Sequence, residues 1–182
     1  MLRYHLGWIS EKGDPLPGAA GKALRPTLCL LACEATGTPY ERALPVAAAL
    51  ELVHNFSLIH DDIQDGDRER RHRPTVWSIW GQPQAINAGT AMRILANLAL
   101  LRLADHDTPL RKVLRAARAL DESCLRLIEG QYLDISYEDR LSVGVDDYLR
   151  MAELKTASLI ACSLEMGALL GTDDERLIQA LW

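Results

Sequence analysis

ELVHNFSLIHDDIQDGDRERRHRPT, residues 51–75, begins as an apolar helix and ends in a burst of charge. Leu52, Val53, Phe56, Ile59 and Ile63 recur at spacings of three and four, which marks one buried helical face. Asp61, Asp62, Asp65 and Asp67 follow at its C-terminal end, and then Arg68, Arg70, Arg71 and Arg73. Helical spacing puts Asp61 and Asp65 on one face, one turn apart, with Asp62 rotated by about 100°. Like charges so placed repel by about 0.2–0.5 kcal/mol, at the helix end whose dipole already disfavours anions. A divalent cation is the natural counter-charge. Hard carboxylate oxygens suit Mg²⁺ better than zinc, and Mg²⁺ takes one or two carboxylates with phosphate oxygens and water completing its shell. The basic run then reads as a phosphate clamp, because arginine pairs bidentately with phosphate. The plain alternative is a solvated helix end of mixed charge.

Working outward, the 182 residues suffice for one domain with a real core, read as a single unit over 1–182. A hydrophobic share of 48% excludes a disordered chain, and the net charge of −5 speaks against general nucleic-acid affinity. Cys29, Cys33, Cys124 and Cys162 form no CxxC pair and read as buried thiols in a reducing compartment. No uninterrupted apolar run reaches the ~18–20 residues of a membrane helix, and Met1–Ser10 lacks a signal-peptide core, so a cytoplasmic protein without a membrane span is expected.

Abundant Ala and Leu with a single Phe favour helices throughout. The expected order is a short helix within 1–12, a loop over 13–21, and a helix over 24–36 stopped by Gly37 and Pro39. The long helix 41–65 follows, with Pro45 in its first turn, and then a helical turn at 75–80. Helices over 84–104, from Pro109 to 137, and over 145–170 come next, and Thr172 caps a last helix over 173–182. The fold class is all-α, a helical bundle. In Gly21-Lys22-Ala23-Leu24-Arg25-Pro26, Lys22 and Arg25 are three apart at a helix mouth and share a face suited to an anion. His54, two turns before Asp61, lies on nearly the same face as the acids.

GKALRP at 21–26, ELVHNFSLIHDDIQD at 51–65, RRHRPT at 70–75, GQYLD at 130–134 and KTASL at 155–159 together resemble the trans-isoprenyl diphosphate synthases, or polyprenyl synthetases. The resemblance covers nearly the whole chain and implies a bundle of the isoprenoid synthase type, Mg²⁺ as cofactor, and condensation of isopentenyl diphosphate with an allylic diphosphate. It implies that Asp61 and Asp65 ligate the metal with Asp62 in support, and that Arg70 and Lys155 hold the allylic diphosphate. Lys22, Arg25, His54 and Arg71 would hold isopentenyl diphosphate. Gln131 and Asp134 would face the cavity, and Thr156 would lie near the reacting carbons. Phe56 would form the floor that limits the product to fifteen to twenty carbons.

Three smaller departures stand out: Ala23 where Arg is usual, His72 where Gly is usual, and Thr90 where Asp usually follows Gly. The larger one is the second aspartate-rich motif, which would complete the metal site. It has no counterpart here, since Asp173-Asp174 falls in a turn and Asp146-Asp147 reads as helix N-terminal acids. The bundle is therefore expected to be incomplete at its C-terminus and impaired or inactive alone. Its uncovered faces on 84–104 and 145–170 would associate as a homodimer or with a complete synthase. A non-catalytic subunit is the alternative, and a terpene cyclase-like lyase a weaker one, because a cyclase has no second diphosphate to hold.

Overall fold

A computed structural model describes residues 1–16 and 21–181. Residues 17–20 of the expected loop and Trp182 of the expected last helix lie outside the described residues. The chain divides into two compact units. One comprises 1–23 and 51–96, the other 24–50 and 97–182.

The elements follow in order: α1 (Leu2–His5), α2 (Leu24–Ala35), a 3₁₀ turn (Tyr40–Ala43) and α3 (Leu44–Gln64). A two-residue pair, β1 (Glu69–Arg70) and β2 (Arg73–Pro74), leads to α4 (Val76–Trp80) and α5 (Gln82–Leu101). A 3₁₀ turn (Arg102–His106), α6 (Leu110–Glu138), α7 (Val145–Ala152), a π-helical turn (Glu153–Ala157), α8 (Ser158–Gly171) and α9 (Glu175–Ala180) complete it. Among the described residues the regular structure is helical apart from this hairpin and an isolated bridge between Ile9 and Pro15.

In the first unit the core is built on α3. Val53, Phe56 and Ile59 from its apolar face are buried, as are Val76, Ala85, Ala88 and Met92 on α4 and α5. In the second unit α8 packs on α2 and α6. Cys29, Ala32 and Cys33 of α2, Leu120 and Cys124 of α6, and Leu159, Cys162 and Met166 of α8 are all buried there. All four cysteines are buried and none is in a disulfide, as expected.

Several sequence expectations change. The helix expected over 145–170 is broken by the π turn, a single extra residue that apolar periodicity does not register. Thr172 is not the cap of the last helix. Asp174 is, accepting from Arg176 N–H, while the Thr172 hydroxyl accepts from Asp174 N–H. Two stretches, Tyr40–Gln64 and Val145–Gly171, have the length and mean hydropathy (1.2 and 1.3) of a membrane span, contrary to the expectation drawn from uninterrupted runs. Of those windows 56% and 44% are buried within the protein, and length and composition alone do not separate a core helix from a span.

Candidate active site

The acids sit where the sequence places them. Asp65 N–H bonds the Asp61 carbonyl at 2.8 Å, so the helical turn continues through Asp65 and keeps the two carboxylates one turn apart on one face. Asp62 is turned inward and is 1% exposed. Its Oδ1 accepts from Arg70 Nε at 2.6 Å, and Arg70 also reaches Asp61 Oδ2 at 3.4 Å. Asp62 Oδ2 is buried with no partner among the described residues. Burial pushes the Asp62 carboxyl up to about 6, against the pull of Arg70. Arg70, read from the sequence as a diphosphate ligand, is thus already the counter-charge of the acidic helix end.

Arg70 and Arg71 owe their placement to the hairpin, which the sequence reading missed. Arg70 pairs with Arg73 in register, leaving Arg71 and His72 as a two-residue loop with φ of +53° and +61°. Tight hairpins of this kind require positive φ at both loop positions, which explains why glycine is usual where this chain has His72. The loop turns the Arg71 guanidinium onto Gly21, where a Cβ would come within 2.6 Å of it.

The basic run is not one clamp, which corrects the sequence reading. Arg73 faces inward. It donates to the carbonyls of Tyr4 at 3.1 Å and Ile9 at 3.0 Å, and lies 4.1 Å over the Tyr4 ring. Tyr4 in turn donates to the Pro74 carbonyl at 2.8 Å and meets Trp80 edge-on. His5 lies beside Asn55 and the three arginines 70, 71 and 73. Burial and those cations hold its imidazole down at about 4, so it stays neutral. Tyr4, His5, Asp62, Arg70, Arg71, Arg73 and Thr75 wall one small recess. The N-terminal segment, to which the sequence reading gave no role, is therefore the backing of the arginine hairpin. The run of aromatic and polar residues Tyr4-His5 was its only signal.

His54 is half-buried on α3. His60 turns from the acids to pack edge-on against Phe56 (5.6 Å) and toward the Ile86 carbonyl (3.4 Å). Phe56 is buried, 6% exposed. Lys22 is exposed and precedes α2. Because Ala23 takes φ +48°, Lys22 stands outside the helix that begins at Leu24, and the shared helical face expected for Lys22 and Arg25 does not form.

The other site residues lie in the second unit. Lys155 and Thr156 fall on the π turn, with Thr156 exposed. Lys155 Nζ donates to Asp134 Oδ2 at 2.5 Å, while Gln131 is half-exposed on α6. Asp173 is bonded to Arg111 (2.7 Å) and Lys112 (3.2 Å), so it serves the end of α8. Asp146 and Asp147 occupy the first turn of α7.

Asp61 and Asp65 supply hard oxygen donors one helical turn apart, while Asp62 is turned inward onto Arg70. No group of three or more His, Cys, Asp or Glu among the described residues converges to enclose an ion. That donor set fits Mg²⁺, which binds through one or two carboxylates and leaves its remaining positions to phosphate oxygens and water.

The polyprenyl synthetase family model matches residues 7–182. The chain is 48% identical over 181 residues to a (2E,6E)-farnesyl diphosphate synthase of Mycobacterium tuberculosis (strain ATCC 25618 / H37Rv), a match covering 100% of this chain and 49% of that protein. It is 46% identical to a geranylgeranyl diphosphate synthase of the same organism, over 100% of this chain and 51% of that protein. The crystal structure of a polyprenyl synthetase from Streptomyces coelicolor A3(2) superimposes with a TM-score of 0.90 at 48% identity, covering 98% of this chain and 52% of that one. The chain spans about half the length of the curated relatives it matches.

Proposed function

The chain belongs to the polyprenyl synthetase family, and on that premise we propose that it carries the first substrate wall of a short-chain isoprenyl diphosphate synthase. The reaction joins isopentenyl diphosphate to an allylic diphosphate and gives a product of fifteen to twenty carbons. The observation that carries this reading is the junction of Asp61, Asp62 and Arg70, two carboxylates at a helix end bridged by the Arg70 guanidinium. Such a junction suits exchange of the arginine from carboxylate to phosphate.

In this reading Asp61 and Asp65 hold Mg²⁺, which supplies charge stabilisation to the departing pyrophosphate. Arg70 and Lys155 take up the developing negative charge as the allylic C–O bond breaks. Lys22, Arg25, His54 and Arg71 hold the diphosphate of the second substrate, whose double bond attacks the allylic carbon before a proton leaves. Gln131 and Thr156 line the path of the reacting carbons. Phe56 limits chain length, its ring edge-on to His60. No protein nucleophile is needed.

The proposal includes a single domain over 1–182, a cytoplasmic location, and association with a second copy or a complete synthase. Association is supported by Leu125, Ile128, Tyr132 and Ile135 on α6, exposed at spacings of three and four. The test is incubation with isopentenyl and geranyl diphosphates and Mg²⁺, with and without a complete synthase. Turnover or Mg²⁺-dependent binding of both diphosphates is the expected result. Absence of binding to either refutes the reading.

A further inference from the structure

Lys155 sits on neither α7 nor α8 but on the π turn Glu153–Ala157 between them. Ser158 N–H there reaches back five residues to the Glu153 carbonyl, and the Ser158 hydroxyl donates to the Leu154 carbonyl at 2.6 Å. A π turn is a helix with one residue too many, and such turns are found frequently at functional sites. Here the support comes from α6. A Cβ on Gly130 would lie 2.2 Å from Lys155 N, 2.6 Å from its Cα and 2.8 Å from Leu154 C. The backbone of the widened turn therefore rests directly on the bare Cα of Gly130. Asp134, four residues further on and so on the same face of α6, takes the Lys155 ammonium at 2.5 Å. Two positions of one helical face thus grip the backbone and the side chain of a single lysine.

We propose that Gly130 is a positioning residue for Lys155: its missing side chain admits the π turn, and that turn delivers the ammonium to Asp134 at a fixed place. The inference deepens the reading of Lys155 as a diphosphate ligand and rests on it. Any Cβ at 130 must drive the Leu154–Lys155 backbone back by about 1.2 Å to restore ordinary contact at 3.4 Å. The contact met is backbone, with no flexible side-chain end to swing aside, so the whole turn has to move and the ammonium leaves Asp134.

Two measurements on the chain test this. In the first, acetic anhydride labelling of lysines is read by mass spectrometry. Gly130→Ala raises the labelling rate of Lys155 several-fold, to the level of Asp134→Asn. Lys112, bonded to the Leu170 and Thr172 carbonyls of the same unit, stays protected. An unchanged rate at Lys155, or Lys155 and Lys112 rising together as the fold loosens, overturns the proposal.

In the second, inorganic pyrophosphate is titrated in Mg²⁺. Gly130→Ala and Lys155→Ala each weaken binding about tenfold, the loss of one charge-assisted hydrogen bond, and the double variant is no weaker than Lys155→Ala. Additive losses overturn the proposal. If Lys155→Ala leaves pyrophosphate binding intact, the diphosphate role of Lys155 falls, while the labelling result still decides whether Gly130 positions it. If Gly130→Ala does not fold, Ser158→Ala, which strips the hydroxyl from the Leu154 carbonyl, takes its place in the labelling test with the same two outcomes.

Discussion

His72→Gly should make the protein more stable. His72 holds φ +61° in the loop of the arginine hairpin and its side chain is exposed, so its replacement removes no buried contact. The left-handed region costs an L-residue roughly 1–2 kcal/mol, histidine being among the more tolerant types. Glycine relieves that strain but loses more chain entropy on folding, roughly 0.5–1 kcal/mol. The net gain is about 0.5 kcal/mol, or ~1–2 °C in Tm for a chain of this size. His72→Ala supplies the sharper comparison. It keeps the strain without histidine's tolerance, so glycine should exceed alanine at this position by about 1 kcal/mol. Urea unfolding followed by tryptophan fluorescence suits the measurement, because Trp77 and Trp80 lie on α4 next to the hairpin. The midpoint should move at constant slope. If His72→Ala proves as stable as His72→Gly, the loop is not strained and the account of how Arg71 is presented fails.

His5 is depressed from 6.5 to about 4 in the folded protein, so the unfolded chain binds the extra proton between those values. Stability carried by neutral His5 is complete above pH 6.5 and is lost as pH falls toward 4, by up to about 3 kcal/mol. The difference in urea midpoint between the wild type and His5→Gln should therefore shrink or reverse across that window, and a pH-independent difference would remove His5 from the arginine cluster. Arg73→Lys keeps the charge but cannot span both the Tyr4 and Ile9 carbonyls while stacking on the Tyr4 ring. A loss of about 1–2 kcal/mol is expected by thermal or urea unfolding, and none if Arg73 is only a solvated cation. Mg²⁺ with a bisphosphonate should raise the melting temperature, and Asp61→Ala should abolish the rise; a shift that survives the substitution would move the site off α3.

Most of the helices were legible because their ends carry strong signals: Gly37 and Pro39 after α2, Pro109 before α6, and the charge burst after α3. The acids were legible for the same reason, since i, i+4 spacing on a helix fixes a face. The arginines were legible as a composition and not as a geometry. Arg71-His72 is a poor match to the Asn-Gly pattern of a tight hairpin, so nothing local announced that the chain reverses there. Arg73 and Arg71 look alike in sequence, yet one is spent on backbone carbonyls near the N-terminus and the other is turned onto Gly21. Which arginine does which is decided by Tyr4, some seventy residues away in the chain. The π turn was hidden because Glu-Leu-Lys-Thr-Ala is an ordinary helical sequence. Only its neighbour Gly130 betrays it, and that glycine was visible as part of a motif without a reason for being glycine.

The separations within the first unit also order its assembly. Arg70 meets Asp62 across a span of 8 residues, whereas Tyr4 meets Pro74 across 70. Closing the longer loop costs about 2 kcal/mol more chain entropy than closing the shorter one. The acidic helix end and its arginine can thus find each other while the rest of the chain is still loose, and the N-terminal segment docks onto a hairpin already made. The same asymmetry runs in reverse. Undocking Leu2–Ile9 regains that chain entropy, so amide hydrogens held by that segment should exchange ahead of those in α3, with the carboxylates and Arg70 staying together meanwhile.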